Sequence, residues 1–152
     1  MERLDIKSEE AKKLGFEIKD SVLVKYHGSD LDLRIPDSVD GVEVTTIGRG
    51  AFINQGIENV VIPNTVKRIE FAAFMKNNLR EVVIPESVKS IEDGAFTENK
   101  LSMVEIKNKK IFGFSNNVFA VNGEEGNVII GMIRPGKWKV DTEKNIWIKV
   151  ND

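Results

Sequence analysis

The chain has 152 residues, of which 41% are hydrophobic and none is cysteine, and its formal net charge is -2. This length supports one well-buried domain, and the lack of cysteine excludes a disulfide framework, a thiol nucleophile and a thiolate metal site. The near balance of 22 basic and 24 acidic side chains provides no global field that would attract nucleic acid or anionic lipid.

The first predicted elements are a short helix and a β-hairpin. Ser8 is placed to cap the helix, acidic residues precede lysines as the helix dipole favours, and Gly15 can end it. Residues 16–26 then alternate apolar and polar side chains on either side of Asp20 and Ser21, a pattern that predicts a hairpin. We expect the helix to act as a packing cap. A binding helix is the alternative, which two turns with few large apolar residues disfavour.

A pattern of 22 residues recurs in the middle of the chain. Residues 57–74 and 79–96 share an apolar strand, a proline, two further apolar positions and an Ala-Phe pair at matching spacings. Residues 31–52 carry the same pattern with a five-residue insertion at 40–44, for which the sequence predicts a loop. Self-similarity at this period predicts stacked units, because one unit cannot bury its apolar face without a neighbour.

Stacking of these units predicts an interior row of aromatic rings. One phenylalanine ends each unit, and the four are Phe52, Phe74, Phe96 and Phe119. The same alignment equates Val39 of the first unit with Val66 of the second. After residues 101–106 the pattern decays, but Ile111 and Phe114 keep the spacing to the last phenylalanine. This predicts a fourth, degenerate unit, as expected where the last repeat faces water.

The end of the chain predicts a three-stranded meander. Its strands are expected at 128–133, 138–140 and 146–150, with a turn at Pro135 and Gly136. Such a meander would cover the last strand edge of the stack, which otherwise invites aggregation. We therefore expect a single domain over 1–152, with an N-terminal cap over 1–30, about four coils over 31–119 and a C-terminal β cap over 120–152.

The repeated residues carry a resemblance to a known family. The run Ile-Pro-x-x-Val-x-x-Ile-x-x-x-Ala-Phe, at 62–74 and 84–96 and with an insertion at 35–52, resembles the BspA-like leucine-rich repeats of bacterial surface proteins. The asparagine common in other leucine-rich repeats is replaced here, at Ser38, Thr65 and Ser87. The resemblance implies a mainly β fold, a short leucine-rich-repeat solenoid of stacked coils with a helix and hairpin cap and a β-meander cap.

The resemblance also implies a function. It implies a non-enzymatic protein-binding or adhesion module, with no catalytic residues to transfer, at the cell surface or secreted. Residues 1–30 contain no apolar run of signal-peptide length, and no apolar stretch in the sequence is long enough to span a bilayer. We therefore expect no membrane span in the chain as given.

The residues themselves offer little for catalysis or for cofactors. The one histidine, His27, lies in a predicted turn, and no metal, calcium-loop or phosphate-binding motif is present, so we expect no cofactor and no metal. The acidic side chains that can be placed are expected at solvent-facing positions of the repeats. The recurring residues Glu70 and Glu92, with Lys67 and Lys89, predict solvated rows of opposite charge that compensate each other.

A basic cluster stands in the decayed repeat. Its members are Lys107, Lys109 and Lys110. No set of aromatic side chains for base stacking accompanies them, so no nucleic-acid partner is expected.

The outward face of the predicted strands is the candidate binding surface. In register it carries one column of Asp32, Asn59, Glu81 and Met103 and a second column of Arg34, Val61, Val83 and Glu105. Neighbouring Val61, Val83 and Met103 would form an apolar strip with a charged rim, as expected of a protein-binding patch. The alternative is that β-branched residues favour strands wherever they lie.

A second candidate site uses aromatic side chains. Trp147 stands between Ile146 and Ile148, so it should face outward if those two residues face the core. Together with Tyr26 and Trp138 it would make a carbohydrate-binding or cell-wall-binding platform, with a glycan as the partner. The alternative is that the tryptophans pack across the meander. A structural spacer within a longer surface protein is a third possible function, and the identity of a protein partner stays open.

Overall fold

The computed structural model describes residues 2–110, 117–119, 135–141, 143–144 and 146–151. Within these residues the fold is mainly β with one short helix, α1 (Ser8–Leu14). The strands are short, and in chain order they are β1 (Asp5–Ile6), β2 (Phe16–Lys19), β3 (Val22–Tyr26), β4 (Asp32–Arg34), β5 (Ser38–Val39), β6 (Val42–Glu43), β7 (Thr46–Ile47), β8 (Asn59–Val61), β9 (Arg68–Ile69), β10 (Glu81–Ile84), β11 (Ser90–Ile91), β12 (Met103–Ile106), β13 (Gly136–Asp141) and β14 (Ile146–Val150).

The N-terminal helix is confirmed, but the prediction of its cap is wrong. Lys7 occupies the N-cap position, and no side chain caps the helix from there. Ser8 instead donates its backbone N–H to the Asp40 carboxylate at 3.1 Å, so a residue of the first repeat supplies the acceptor. Gly15 ends the helix in the left-handed conformation with φ of 93°, as predicted.

The hairpin is also confirmed. Strands β2 and β3 pair antiparallel with a register shift between Glu17 and Ile18. The turn residues Asp20 and Ser21 both have positive φ, 49° and 69°. Two consecutive left-handed residues match the twist of the flanking strands in a two-residue turn. Strand β3 then pairs parallel with β7, which joins the hairpin to the first repeat.

Equivalent strands of successive repeats pair in parallel on two sides of the molecule. On one side β3, β7, β9 and β11 lie in order, and Ile47, Ile69 and Ile91 are in register. On the other side β4 pairs with β8, and β10 pairs with β12. Those two pairs belong to separate sheets. The isoleucines point into the core and are fully buried.

The predicted row of phenylalanines is confirmed. Ring centroids of Phe52 and Phe74 lie 4.9 Å apart, those of Phe74 and Phe96 5.0 Å, and those of Phe96 and Phe119 5.3 Å. Backbone bonds fix the same spacing, since the N–H of Phe74 donates to the Ala95 carbonyl at 2.7 Å. The Ala-Phe pair of each repeat therefore places a ring directly over the previous ring.

The insertion in the first repeat is a hairpin, and the equivalence of Val39 with Val66 is wrong. Strands β5 and β6 pair antiparallel around a turn at Asp40 and Gly41, and β1 pairs parallel with β5. Val39 is only half-buried, whereas Val44 is fully buried. The hydroxyl of Thr65 donates to the Val44 carbonyl at 2.8 Å. Val44 therefore takes the core position, because the hairpin returns the chain to the repeat pattern at residue 44, one residue earlier than predicted.

The C-terminal strands cover the edge of β12, as predicted. Strand β13 pairs antiparallel with β12, and β14 pairs antiparallel with β13. The predicted strand at 128–133, and Ile111 and Phe114 of the predicted fourth unit, lie outside the described residues. Phe119 and Val118 of that unit are described, and Val118 accepts a hydrogen bond from the Phe96 N–H at 2.9 Å.

Candidate functional site: the strand face

The register of the strands brings the predicted face residues together in pairs. Asp32 lies beside Asn59 and Arg34 beside Val61 on β4 and β8. Glu81 lies beside Met103, and Val83 beside Glu105, on β10 and β12. Because alternate side chains of a strand point to opposite faces, these eight residues point away from the buried residues between them. Leu33, Val82 and Val104 are the corresponding core residues.

The face is apolar at its centre and polar at its margins. Val61 is 39% exposed and Val83 is 43% exposed. Side chains at the two ends of the face are less exposed than these valines, since Arg34, Met103 and Glu105 are half-buried. Arg34 donates to the backbone carbonyl of Glu2, so the N-terminal segment fixes one margin. The exposed apolar strip therefore consists of the two valines, without the full side chain of Met103.

The structure extends this face in a way that the sequence analysis missed. On β13, Lys139 lies opposite Met103 and Lys137 lies opposite Glu105, so both lysines share the outward face. On β14, Ile148 lies opposite Lys139 and Val150 opposite Lys137. The alternating apolar and polar residues at 136–141 indicate a strand with an outward face, but the sequence predicts for this strand only a capping role. Pairing between distant strands has no local signature, so the continuation could not be read from that segment alone.

A shallow groove of about 710 Å³ crosses the face at the ends of the strands. Its apolar lining includes Val61, Pro63, Val83 and Pro85. Its charged lining includes Arg3, Arg34, Asp37, Glu86 and Lys107. Pro63 and Pro85 both line the groove because each follows its strand at the same position of the repeat.

One acidic residue contradicts the prediction that the placed acids face solvent. Asp37 is buried and accepts the backbone N–H of Leu4 at 2.8 Å. The N–H of Asp37 in turn donates to the Leu4 carbonyl at 2.8 Å. This carboxylate therefore secures the N-terminal segment against the first repeat, and its hydrogen bond explains how it can be buried.

The recurring residues Glu70 and Glu92 bind backbone N–H groups of neighbouring turns, and they do not form a charged row paired with a row of lysines. Glu70 accepts the Arg49 N–H at 3.0 Å, and Glu92 accepts the Phe71 N–H at 2.9 Å in the equivalent turn. The cation beside Glu92 is Arg68 and not a lysine of the predicted row. Burial raises the pKa of Glu92, but the hydrogen bonds from Arg68 and the Phe71 N–H and the nearby positive charges outweigh it, so the pKa is lowered.

Two asparagines that the sequence analysis did not single out form a ladder between repeats. Asn77 donates to the carbonyls of Phe52 and Phe74 at 2.8 and 2.9 Å, and its side-chain oxygen accepts the Gln55 and Ile57 N–H groups. Asn99 donates likewise to Phe74 and Phe96, one repeat later. The signal was their 22-residue spacing, three residues after a column phenylalanine.

The aromatic candidate site is contradicted by burial. Tyr26 is 1% exposed, and Trp138 and Trp147 are each 9% exposed. The prediction that Trp147 faces outward is wrong, because the β13–β14 register places it opposite Val140, on the core side. Its indole N–H donates to the Phe119 carbonyl at 3.3 Å, and Ile146 is exposed instead.

These aromatic residues end the phenylalanine row. The Tyr26 ring lies 5.5 Å from Phe52, and the Trp147 ring lies 6.4 Å from Phe119. Burial raises the pKa of the Tyr26 phenol, which accepts the Asp30 N–H at 2.9 Å. Buried rings with these contacts offer no open face on which a sugar could stack.

The described residues contain no constellation with obvious chemistry. His27 is exposed, and its Nε2 lies 2.7 Å from the Glu17 carboxylate. No three histidine or acidic side chains in the described ranges converge to hold a metal ion. The single described helix, with seven residues, is far too short to cross a bilayer.

Comparison with known proteins gives one match. Residues 45–130 match the model of the BspA type leucine rich repeat region, in six copies. No curated protein and no solved structure matches the chain. The matched residues include the phenylalanine row, the asparagine ladder and three of the four strands that carry the predicted face.

Proposed function

Because the chain belongs to the family of BspA-type leucine-rich repeats, we propose that it is an adhesion or interaction module that binds a protein through the outward strand face of a short solenoid. Repeats of this family generally mediate protein interactions and are generally non-enzymatic. The site is the set of outward residues Asp32, Arg34, Asn59, Val61, Glu81, Val83, Met103 and Glu105.

The solenoid is supported by two sets of contacts with the same period. Parallel pairs join equivalent strands on two sides of the molecule, and the stacked rings of Phe52, Phe74 and Phe96 lie between them. In this proposal the separate two-stranded and four-stranded sheets are consecutive parts of one stack. The proposed solenoid and its caps form one domain, with the caps over 1–30 and 120–152 and about four coils over 31–119.

The observation that carries the function is the exposure of two in-line valines on a rigid strand face. Val61 and Val83 occupy the same position in successive repeats, and both are about two-fifths exposed, at 39% and 43%. Both line the groove beside buried prolines. A preformed apolar strip with a polar rim needs little reorganisation on binding, which favours affinity.

A peptide-display selection on the immobilised protein tests this function. Peptides selected on the native protein should lose binding when Val61→Glu and Val83→Glu are combined, because the charges would be buried at the interface. The matched control combines Val24→Glu and Val42→Glu, which change valines that are 39% and 52% exposed outside the face. Thermal midpoints of both variants should stay close to the native value.

The selection can also reject the function. Peptides that bind the Val61/Val83 variant as tightly as the native protein would remove the strand face as the binding surface. The same conclusion would follow if the control variant lost binding equally, since a general effect of added charge would then explain the loss.

A further inference from the structure

The structure gathers five lysines at one end of the groove. They are Lys67, Lys89, Lys107, Lys109 and Lys110, and all five are exposed. Lys67 and Lys89 occupy the same position in successive repeats, and the Lys89 N–H donates to the Lys67 carbonyl at 2.8 Å. Neighbouring backbones in such a ladder lie about 4.8 Å apart, so these two lysines leave the surface side by side.

The segment 107–110 is fixed against this pair. The Asn108 side chain donates to the carbonyl of Val88, the residue immediately before Lys89. Its oxygen also accepts the Lys110 N–H at 2.7 Å, which folds the segment into a tight turn. The three lysines of this turn therefore lie beside Lys89 in a defined arrangement, although they are 18 or more residues away in sequence.

The positive charge of this cluster is not neutralised within the described part of the chain. None of the five lysines forms an ion pair there, and the exposed side chain of Glu86, three residues before Lys89, forms no ion pair with any of them. Like charges in neighbouring positions repel one another, so packing gives no reason for the arrangement. In a protein of net charge -2, this local excess creates a positive field at one end of the groove.

The cluster is continuous with the apolar groove. Lys107 lines the groove together with Val83 and Pro85. The opposite ends of the strands carry Asp32 and Glu81, both exposed. The face is therefore acidic at the starts of β4 and β10, apolar at Val61 and Val83 and basic beyond the strand ends, while at the start of β12 a lysine, Lys139, lies beside Met103.

We propose that the lysine cluster binds an acidic tract of a polypeptide partner whose adjoining apolar residues occupy the groove between Pro63, Pro85, Val61 and Val83. This inference rests on the proposed function, since it uses the same groove. A sulfated polysaccharide or a nucleic acid carries charge along its whole length and would gain nothing from an apolar groove. Base stacking would also need aromatic side chains, which none of the cluster members supplies.

The test uses fluorescence anisotropy with two labelled peptides, Val-Pro-Leu-Val-Glu-Asp-Glu-Glu and the same residues in reverse order. At least one order should bind, with micromolar affinity that weakens as salt is raised. Combining Lys89→Gln, Lys109→Gln and Lys110→Gln should weaken binding about tenfold, as expected from the loss of three partly screened ion pairs. Combining Lys19→Gln, Lys100→Gln and Lys144→Gln removes three exposed lysines elsewhere and should leave binding unchanged.

Further arms separate this inference from the proposed function. The Val61→Glu and Val83→Glu variant should also lose the peptides, because the apolar part needs the groove. If peptides with Gln in place of every acid bind as well as the acidic ones and depend only on the valines, the strand face stands and the acidic-tract proposal is overturned.

Two other results would also overturn the proposal. One is binding that depends on the lysines but not on the valines, which would show a polyanion site unconnected to the groove. The other is tighter binding of a heparin oligosaccharide or single-stranded DNA to the cluster, with no binding of either acidic peptide.

Discussion

The repeats and the two ends of the molecule are stabilised in different ways. Within the repeats, each contact recurs about 22 residues later, so the ring of Phe74 and the amide of Asn77 have equivalents in Phe96 and Asn99. At the ends the contacts occur once. The Asp37 carboxylate binds the Leu4 N–H, and the Trp147 indole binds the Phe119 carbonyl.

This difference shows what repetition does for a small β protein. A recurring contact is satisfied by its neighbours, so each repeat needs only the geometry of the next one. At each end no further repeat is present to cover the last ring, so a side chain outside the repeat pattern must bury it. The ends of this chain do so with aromatic residues, Tyr26 on one side and Trp147 on the other.

The largest expected effect comes from breaking the interior row. Phe74→Ala should lower the free energy of unfolding by about 3 to 5 kcal/mol, because the ring is fully buried between two others and leaves a cavity. Urea denaturation followed by circular dichroism measures the loss. Phe71→Ala is the control in the same repeat, since that ring is 37% exposed under Arg49 and should cost under about 1 kcal/mol. Equal losses for both variants would show that the row does not carry the stability of the repeats.

The second effect comes from removing one asparagine of the ladder. Asn77→Ala should cost about 2 to 4 kcal/mol, because it leaves the Phe52 carbonyl and two backbone N–H groups without their partner and removes one of the two donors to the Phe74 carbonyl. Asn99→Ala should cost less, because Asn99 is only half-buried and water can replace part of its bonds. Urea midpoints of the two variants make the comparison. A midpoint for Asn77→Ala within error of the native value would contradict the structural role of the ladder.

The sequence predicts the repeats better than the ends, and the reason is physical. The phenylalanine row follows from a spacing that three units share, since the same pattern at the same period must give the same geometry. The core position of Val44 was not predicted, because no local sequence pattern encodes how far the inserted hairpin shifts the register. Asp40, which serves as the acceptor for Ser8, and Asp37 were missed for a similar reason, as their partners are more than 30 residues away.

The candidate face was predictable only in part. Alternation along each strand places Val61 and Val83 outward, and the repeat period places them side by side. The half-burial of Met103 depends on β13, whose pairing with β12 joins residues 30 or more positions apart. Trp147 was misplaced because alternation alone does not say which of two faces is buried. Its neighbours Ile146 and Ile148 are apolar too, so composition favoured the wrong face.

The smallest effect compares one glycine of the repeats with one of the N-terminal cap. Gly94 has φ of 67°, and the equivalent residue one repeat earlier is Ala72, with φ of 54°. A Cβ added at Gly94 would meet Thr97 Oγ1 at 3.6 Å, an ordinary contact. Gly94→Ala should therefore cost under about 1 kcal/mol, the strain of a left-handed alanine offset by the methyl group that it buries.

Gly15→Ala is the matched change in the cap and should cost at least about 2 kcal/mol. Its φ of 93° lies beyond the left-handed region that alanine can occupy. The new Cβ would also lie 2.4 Å from the Gly28 nitrogen, and this backbone cannot move aside without disturbing Tyr26. Thermal unfolding of the two variants under one set of conditions gives the ranking. A Gly94→Ala midpoint at or below that of Gly15→Ala would show that the repeats tolerate substitution no better than the ends do. The shared turn geometry would then not explain why alanine stands at position 72 of the neighbouring repeat.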